Sequence, residues 1–172
     1  GEPDGLTVDA MVYRLRARWA MAAADPMLFL RWFVLTLDSH DKENPIKPFP
    51  WDRRHILPIV RLWQANRLIS LEKSRQMLAT WLMAALCTWW CLFHRGQLVI
   101  VQAATEFDVI GDENTADGQL GRIKFILHHL AGATYLGMTE GQAFKCIDIK
   151  IQFLGANSSI IGLPQTGEKL RQ

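Results

Sequence analysis

The sequence predicts an α/β fold with a parallel-sheet core and an N-terminal helical lead-in. Three observations predict it. An apolar run, an uncharged helical stretch and a second apolar run follow one another between residues 68 and 101; helix-forming patterns fill residues 7 to 37; and apolar and polar residues alternate after residue 145.

Residues 7–24 (TVDAMVYRLRARWAMAAA) read as a helix, with Thr7 or Asp9 as its cap. Asp25-Pro26 reads as N-cap plus first helical residue of a second helix running to about Leu37. Asp38 to Pro50 holds Pro45, Pro48 and Pro50 among polar residues and reads as a loop. A third helix is expected from near Asp52 to near Asn66, bent or delayed by Pro58. Leu68-Ile69-Ser70-Leu71 fits a short buried strand, residues 77–93 a helix, and Leu98-Val99-Ile100-Val101 a second buried strand. Strand, helix and strand at this spacing make a βαβ unit, normally right-handed with parallel strands. A helical stretch near 117–131 then leads to a strand at Cys146–Phe153 and another at Ser159–Leu163. The turn Gly155-Ala156-Asn157-Ser158 between them predicts a hairpin. Neither an internal repeat nor a low-complexity segment interrupts this order.

The chain has 172 residues, 49% hydrophobic and 21% charged, which suits one globular domain and excludes a disordered tail, a collagen-like repeat or a small disulfide scaffold. A net charge of +2 excludes the overall basicity of a histone-like binder, but the charge is unevenly placed. Residues 47–95 carry eight Lys/Arg against two acids, and residues 96–120 carry five acids and no Lys/Arg. A basic block beside an acidic one can make a site for an anion. Three cysteines, Cys87, Cys91 and Cys146, form no paired framework and favour a reducing, intracellular setting. No basic start followed by an apolar stretch marks a signal peptide, so the sequon Asn157-Ser158-Ser159 reads as accidental. Met77 to Phe93 is uncharged over seventeen residues, the lower limit for a spanning helix. A helix buried on all sides in an α/β core is the better reading. His128 and His129 are adjacent, point to different helix faces, and read as a surface pair rather than two metal ligands. The seven tryptophans are spread through expected helices and suit core packing more than base stacking.

The chemistry lies in the segment before the long apolar helix, Glu72-Lys73-Ser74-Arg75-Gln76-Met77-Leu78-Ala79-Thr80. A strand-to-helix turn can wrap polyphosphate with backbone N–H groups at the positive end of the helix. Against G-x-x-x-x-G-K-[ST], only Thr80 matches; Lys73 takes the first Gly, Leu78 the second and Ala79 the Lys. The segment resembles instead the deviant phosphate-binding motif of the large terminase subunits, ATPases that pump viral DNA into procapsids. Their loop reads K-[SA]-R-Q-x-x-x-[ST]-[TW], which Lys73-Ser74-Arg75-Gln76 and Thr80-Trp81 fit. Asp25-Pro26, Thr36-Leu37-Asp38 and Ile46-Lys47-Pro48-Phe49-Pro50 resemble the lead-in of that family. Leu98-Val99-Ile100-Val101-Gln102 resembles its next strand, and Arg122-Ile123-Lys124-Phe125-Ile126 the helix after it. Ile151-Gln152-Phe153, Asn157-Ser158-Ser159-Ile160 and Gly162-Leu163-Pro164-Gln165 through Leu170-Arg171 resemble the segment before its acidic motif. The ordered set covers roughly residues 25–172.

The resemblance implies a P-loop NTPase fold of the ASCE type, with residues 1–50 as lead-in and Pro-rich loop and 51–172 as the N-terminal part of the ATPase domain. It implies ATP and Mg²⁺ as ligands, with Lys73, Ser74, Arg75, Gln76 and Thr80 holding phosphate and Thr80 also ligating Mg²⁺. It makes Arg75 a catalytic arginine in cis and Arg171 a finger toward a neighbour's ATP. Trp51 and Arg54, with Arg53 beside them, fall where the family recognises adenine. Leu78 stands where the family's loop commonly has Gly. Implied partners are double-stranded DNA, a portal protein, a small terminase subunit and further copies in a ring, at the procapsid portal in the host cytoplasm, with no membrane. The family's D-E strand and nuclease domain follow the Arg171 segment, and the sequence reaches Gln172 first. The sheet is therefore expected to be unfinished, since the family's first strand pairs with strands after the acidic motif, and the chain to hydrolyse little by itself. Val109-Ile110-Gly111-Asp112-Glu113 imitates the D-E strand but has Asp108 and Gly111 at its edges. Two other classes stand beside this one: a helicase-like P-loop ATPase, and a non-enzymatic membrane or interaction protein built on helix 77–93.

Overall fold

Thr7 opens the first helix: its hydroxyl accepts the Ala10 N–H at 3.4 Å, so Thr7 rather than Asp9 is the cap of α1 (Val8–Ala24). Asp25 accepts the Met27 N–H at 2.9 Å and Pro26 supplies the first helical residue of α2 (Pro26–Trp32). The computed structural model describes residues 7–72 and 78–164. The second helix is shorter than its sequence suggests. Residues 35–37 leave it to form β1 (Leu35–Leu37), which pairs antiparallel with β2 (Ile46–Pro48) inside the expected Pro-rich loop. Thr36 donates its hydroxyl to the Lys47 carbonyl and the Phe49 N–H bonds the Val34 carbonyl, so the loop is a hairpin with a turn of polar residues. Pro48 is tolerated because β2 is an edge strand.

Helix α3 (Ile56–Ala65) starts later than Asp52 and takes Pro58 into its first turn, where a missing N–H costs nothing. Residues 68–71 are not a strand: Leu68 is 90% exposed and no ladder forms along them. So short a run fixes a strand only where a partner strand lies alongside, and among the described residues none does. The long apolar helix is α4 (Ala79–Phe93), and none of its residues is exposed. Among the described residues no helix is long and apolar enough to cross a membrane. Surrounding protein accounts for α4: it packs on α2, on α6 (Gln119–His128) and on β6 (Ser158–Pro164). Its Thr88 hydroxyl is satisfied internally by the Ala84 carbonyl at 2.8 Å. Burial pushes the Cys87 thiol up to about 11 and the Cys91 thiol to about 12, so both stay protonated at neutral pH.

Strand β3 (Leu98–Ala103) follows, but it alternates exposed and half-buried residues instead of being buried throughout. Val99 and Val101 face the core while Leu98 and Ile100 stand on an open sheet face. The D-E-like run 109–113 is no strand: its first residues close α5 (Glu106–Ile110), because Thr105 caps a helix by accepting the Asp108 N–H at 3.1 Å. After α6 come a single turn, α7 (Ala133–Leu136), and two strands where one was expected, β4 (Phe144–Ile147) and β5 (Lys150–Phe153). Asp148 at φ 36° makes the tight turn that splits them. The hairpin of β5 with β6 is as the sequence predicts. The sheet order is β3-β6-β5-β4, with β3 and β6 parallel and the other pairs antiparallel. The fold is therefore α/β with a mixed sheet rather than a parallel one, since two-to-four-residue turns can only reverse the chain.

One apolar core joins lead-in and sheet, from Ala22, Phe29 and Phe33 through Leu82, Leu86 and Trp89 to Ile126, Ile151 and Ile160. The tryptophans Trp19, Trp63, Trp89 and Trp90 take part in ring clusters within or against it. The Trp89 indole N–H donates to the Ala22 carbonyl at 2.7 Å and ties α4 to the end of α1. The start of α6 is fixed by close backbone approach: a Cβ on Gly121 would sit 2.8 Å from the Asp112 carbonyl oxygen. Gly121→Ala is expected to cost about 1–3 kcal/mol through overpacking, although alanine is the better helix former by about 1 kcal/mol. A urea-unfolding midpoint equal to or above wild type would contradict this packing.

Candidate functional site

The N-terminus of α4 opens into a cavity of about 650 Å³. Its walls come from four places: Thr36, Asp38, His40 and Lys47 of the β1–β2 hairpin, Arg53 before α3, residues 78–81, and Arg122 of α6. Leu78 caps the helix in the left-handed conformation, φ 56° and ψ 9°, and its side chain offers no acceptor to the first-turn N–H groups. A non-glycine residue there costs about 1–2 kcal/mol. The conformation is the one glycine adopts freely, and Leu78 occupies the second glycine position of the phosphate-loop pattern. Two residues on, Thr80 lies in the first turn and lines the cavity.

The cations in these walls differ in how they are held. Lys47 donates to Asp38 at 3.1 Å and lies 2.9 Å from Asp41. The Lys47 hydrogen bond is the main cause holding each carboxyl below its usual range, and these two carboxylates raise the lysine in turn. Lys47 is thus neutralised within the hairpin and serves it structurally. Arg122 is different. One guanidinium nitrogen donates to the Gly118 carbonyl at 2.8 Å, the plane lies 5.9 Å from the Trp81 ring centre, and Nε is buried with no hydrogen-bond partner. Burial holds its pKa below the ordinary arginine value, with Asp117 opposing. Arg122 also lines the cavity, and a partly desolvated guanidinium there is suited to an anion.

Of the residues expected from sequence, Thr80 is in this cavity. Lys73, Ser74, Arg75, Gln76 and Arg171 lie outside the described residues. Trp51 and Arg54 do not line it; Trp51 is half-buried with the Arg31 guanidinium 4.6 Å over its ring, and Arg54 is exposed. Arg53, their neighbour, is the one of that segment that reaches the cavity.

No protein-family model matches the chain, and neither does any curated protein. What the site can do is therefore read from its own chemistry. The volume falls in the range of small-ligand sites, about 300–1,000 Å³. Helix N–H groups, two arginines and a first-turn hydroxyl give the cavity a chemistry suited to an anion. Arg122 escaped the sequence reading as a site residue because it lies 42 residues from Thr80 in the chain. Its one signal was membership of the helix that resembles the family's.

Proposed function

We propose that this chain is the nucleotide-binding part of a P-loop ATPase of the large-terminase type, the motor subunit that packages double-stranded viral DNA. The observation that supports it most is Leu78. The sequence aligns this residue with a loop glycine, and its backbone takes the left-handed conformation at the mouth of a cationic cavity beside Thr80. The order of the surrounding motifs supports the terminase type over a helicase-like ATPase.

In this reading the first-turn N–H groups of α4, Lys73 and Arg122 offset phosphate charge, and the Thr80 hydroxyl holds Mg²⁺. Bound ATP would supply the phosphoryl group and Mg²⁺ would offset its charge, and transfer to water with ADP leaving needs positioning and charge neutralisation more than covalent help. Arg53 closes the hairpin side of the cavity, and Arg75 and Arg171 serve as cis arginine and as finger to a neighbour. No residue of this chain is assigned the activation of water. DNA, a portal protein, a small subunit and further copies in a ring are the partners at the procapsid portal in the host cytoplasm.

Isothermal titration of the chain with MgATP tests the assignment. Thr80→Val and Lys73→Ala are each expected to weaken binding by about tenfold, a charged hydrogen bond being worth about 1.5–3 kcal/mol. Thr80→Val is further expected to remove the gain that Mg²⁺ gives over free ATP. Equal affinities in wild type and both variants would sink the phosphate-site reading.

A further inference from the structure

Away from the cavity, the C-terminal end of α6 meets a loop and the edge hairpin in a cluster of unlike donors. His128 Nε2 lies 3.1 Å from a Glu140 carboxylate oxygen, and its Nδ1 is engaged by Glu113. A ligand atom each of His128, Glu140 and Cys146 falls within 4.8 Å of the other two. The other Glu140 oxygen accepts the Cys146 backbone N–H at 3.1 Å, which fixes the carboxylate beside the thiol. The Phe144 ring, 5.3 Å from the imidazole, walls the cluster on the core side. His129, by contrast, turns away, bonds the Phe125 carbonyl and stacks on the Phe125 ring. The two adjacent histidines do point apart, yet His128 is no bland surface residue, because its partners come from three other segments.

We propose that His128, Glu140 and Cys146 form a zinc-binding site, with Glu113 as the carboxylate that orients the imidazole. Nitrogen, sulfur and carboxylate oxygen together select zinc over magnesium or calcium, which take oxygen ligands alone. With Glu113 accepting from Nδ1–H, a metal would take the place between Nε2 and Glu140 and use the Nε2 lone pair. Ligands at zinc distances of about 2.0–2.3 Å lie about 3.3–3.8 Å apart in a tetrahedron; His128 Nε2 and Glu140 stand at 3.1 Å and all three ligand atoms within 4.8 Å, so small side-chain shifts suffice. Three protein ligands leave the fourth position to water. The metal pins three segments that no disulfide or long ladder joins: the last turn of α6, the loop at Glu140 and the edge strand β4. Arg122 projects from the same helix six residues earlier, about 9 Å along the axis, so the pin steadies the helix that carries it. The site does not depend on the nucleotide reading.

Cobalt titration of the reduced chain, followed by absorption, tests this directly. The expected result is one Co²⁺ per chain, a thiolate-to-cobalt charge-transfer band in the near ultraviolet, and bleaching by Zn²⁺. Cys146→Ser is expected to abolish the band, whereas Cys87→Ala and Cys91→Ala leave it. Glu113→Gln keeps the band but weakens zinc by about 10–100-fold. Absence of a one-to-one complex in wild type, or a band that survives Cys146→Ser, overturns the proposal. Should Cys146→Ser fail to fold, the exposed Glu140→Gln decides: at least about tenfold weaker zinc binding supports the site, and unchanged binding overturns it.

Discussion

Truncating Phe29 to alanine is expected to remove about 3–5 kcal/mol of folding stability. The side chain is fully buried, with ring centres 6.3 Å from Trp19, 6.4 Å from Phe33 and 5.9 Å from Phe93. Those partners belong to α1, to the end of α2 and to α4, so a cavity there has walls on three elements and no single one can collapse into it. Domain stabilities are about 5–15 kcal/mol, and the loss is therefore a large part of the total. Urea unfolding followed by tryptophan fluorescence reads it, with Trp19 and Trp89 as nearby reporters. A loss below about 1 kcal/mol, with an unchanged denaturant slope, would mean that the lead-in helices do not share the core of the sheet. The outcome bears on function as well. The same core carries α4, whose N-terminus forms the cavity wall.

Much of this was legible because it is local. The cap Thr7, the pair Asp25-Pro26, the uncharged run of α4 and the turn before β6 each announce themselves within a few residues. The losses have a common physical cause, which is that short strands are made by their partners. Leu35–Leu37 and Ile46–Pro48 are three residues each, too short for period-two alternation to show, and they exist because a polar turn brings them together. Leu68–Leu71 has the better strand composition and forms no ladder. The turn at Asp148 hid inside an alternating stretch because its neighbour Ile149 keeps the hydrophobic rhythm. The site was half legible. Thr80 and the glycine-like position of Leu78 follow from loop spacing, while Arg53, Arg122 and the four residues around His128 are assembled from separate segments. Spacings of 12 and 6 residues between His128, Glu140 and Cys146 fit no short metal motif.

Arg122→Met is expected to move stability and affinity in opposite directions. In the free protein the guanidinium is partly desolvated, one donor is left without an acceptor, and burial already disfavours its charge. Methionine keeps an unbranched stem against Trp81 and removes the buried charge, so the unfolding midpoint should hold or rise. The Gly118 carbonyl loses one donor, a smaller effect at a helix start. MgATP binding should fall by about 1.5–3 kcal/mol, about 10–150-fold, since a charged hydrogen bond to phosphate is lost within a walled cavity. Arg122→Lys should fall between, keeping the charge but not the planar pair of donors. A purely structural arginine predicts the reverse pattern, with stability lowered and affinity unchanged. Equilibrium unfolding and calorimetry on the same three proteins separate the two. Leu78 and Arg122 both line the cavity, and a gain in stability paired with a loss of affinity in Arg122→Met is the mark of a costly group kept for its ligand.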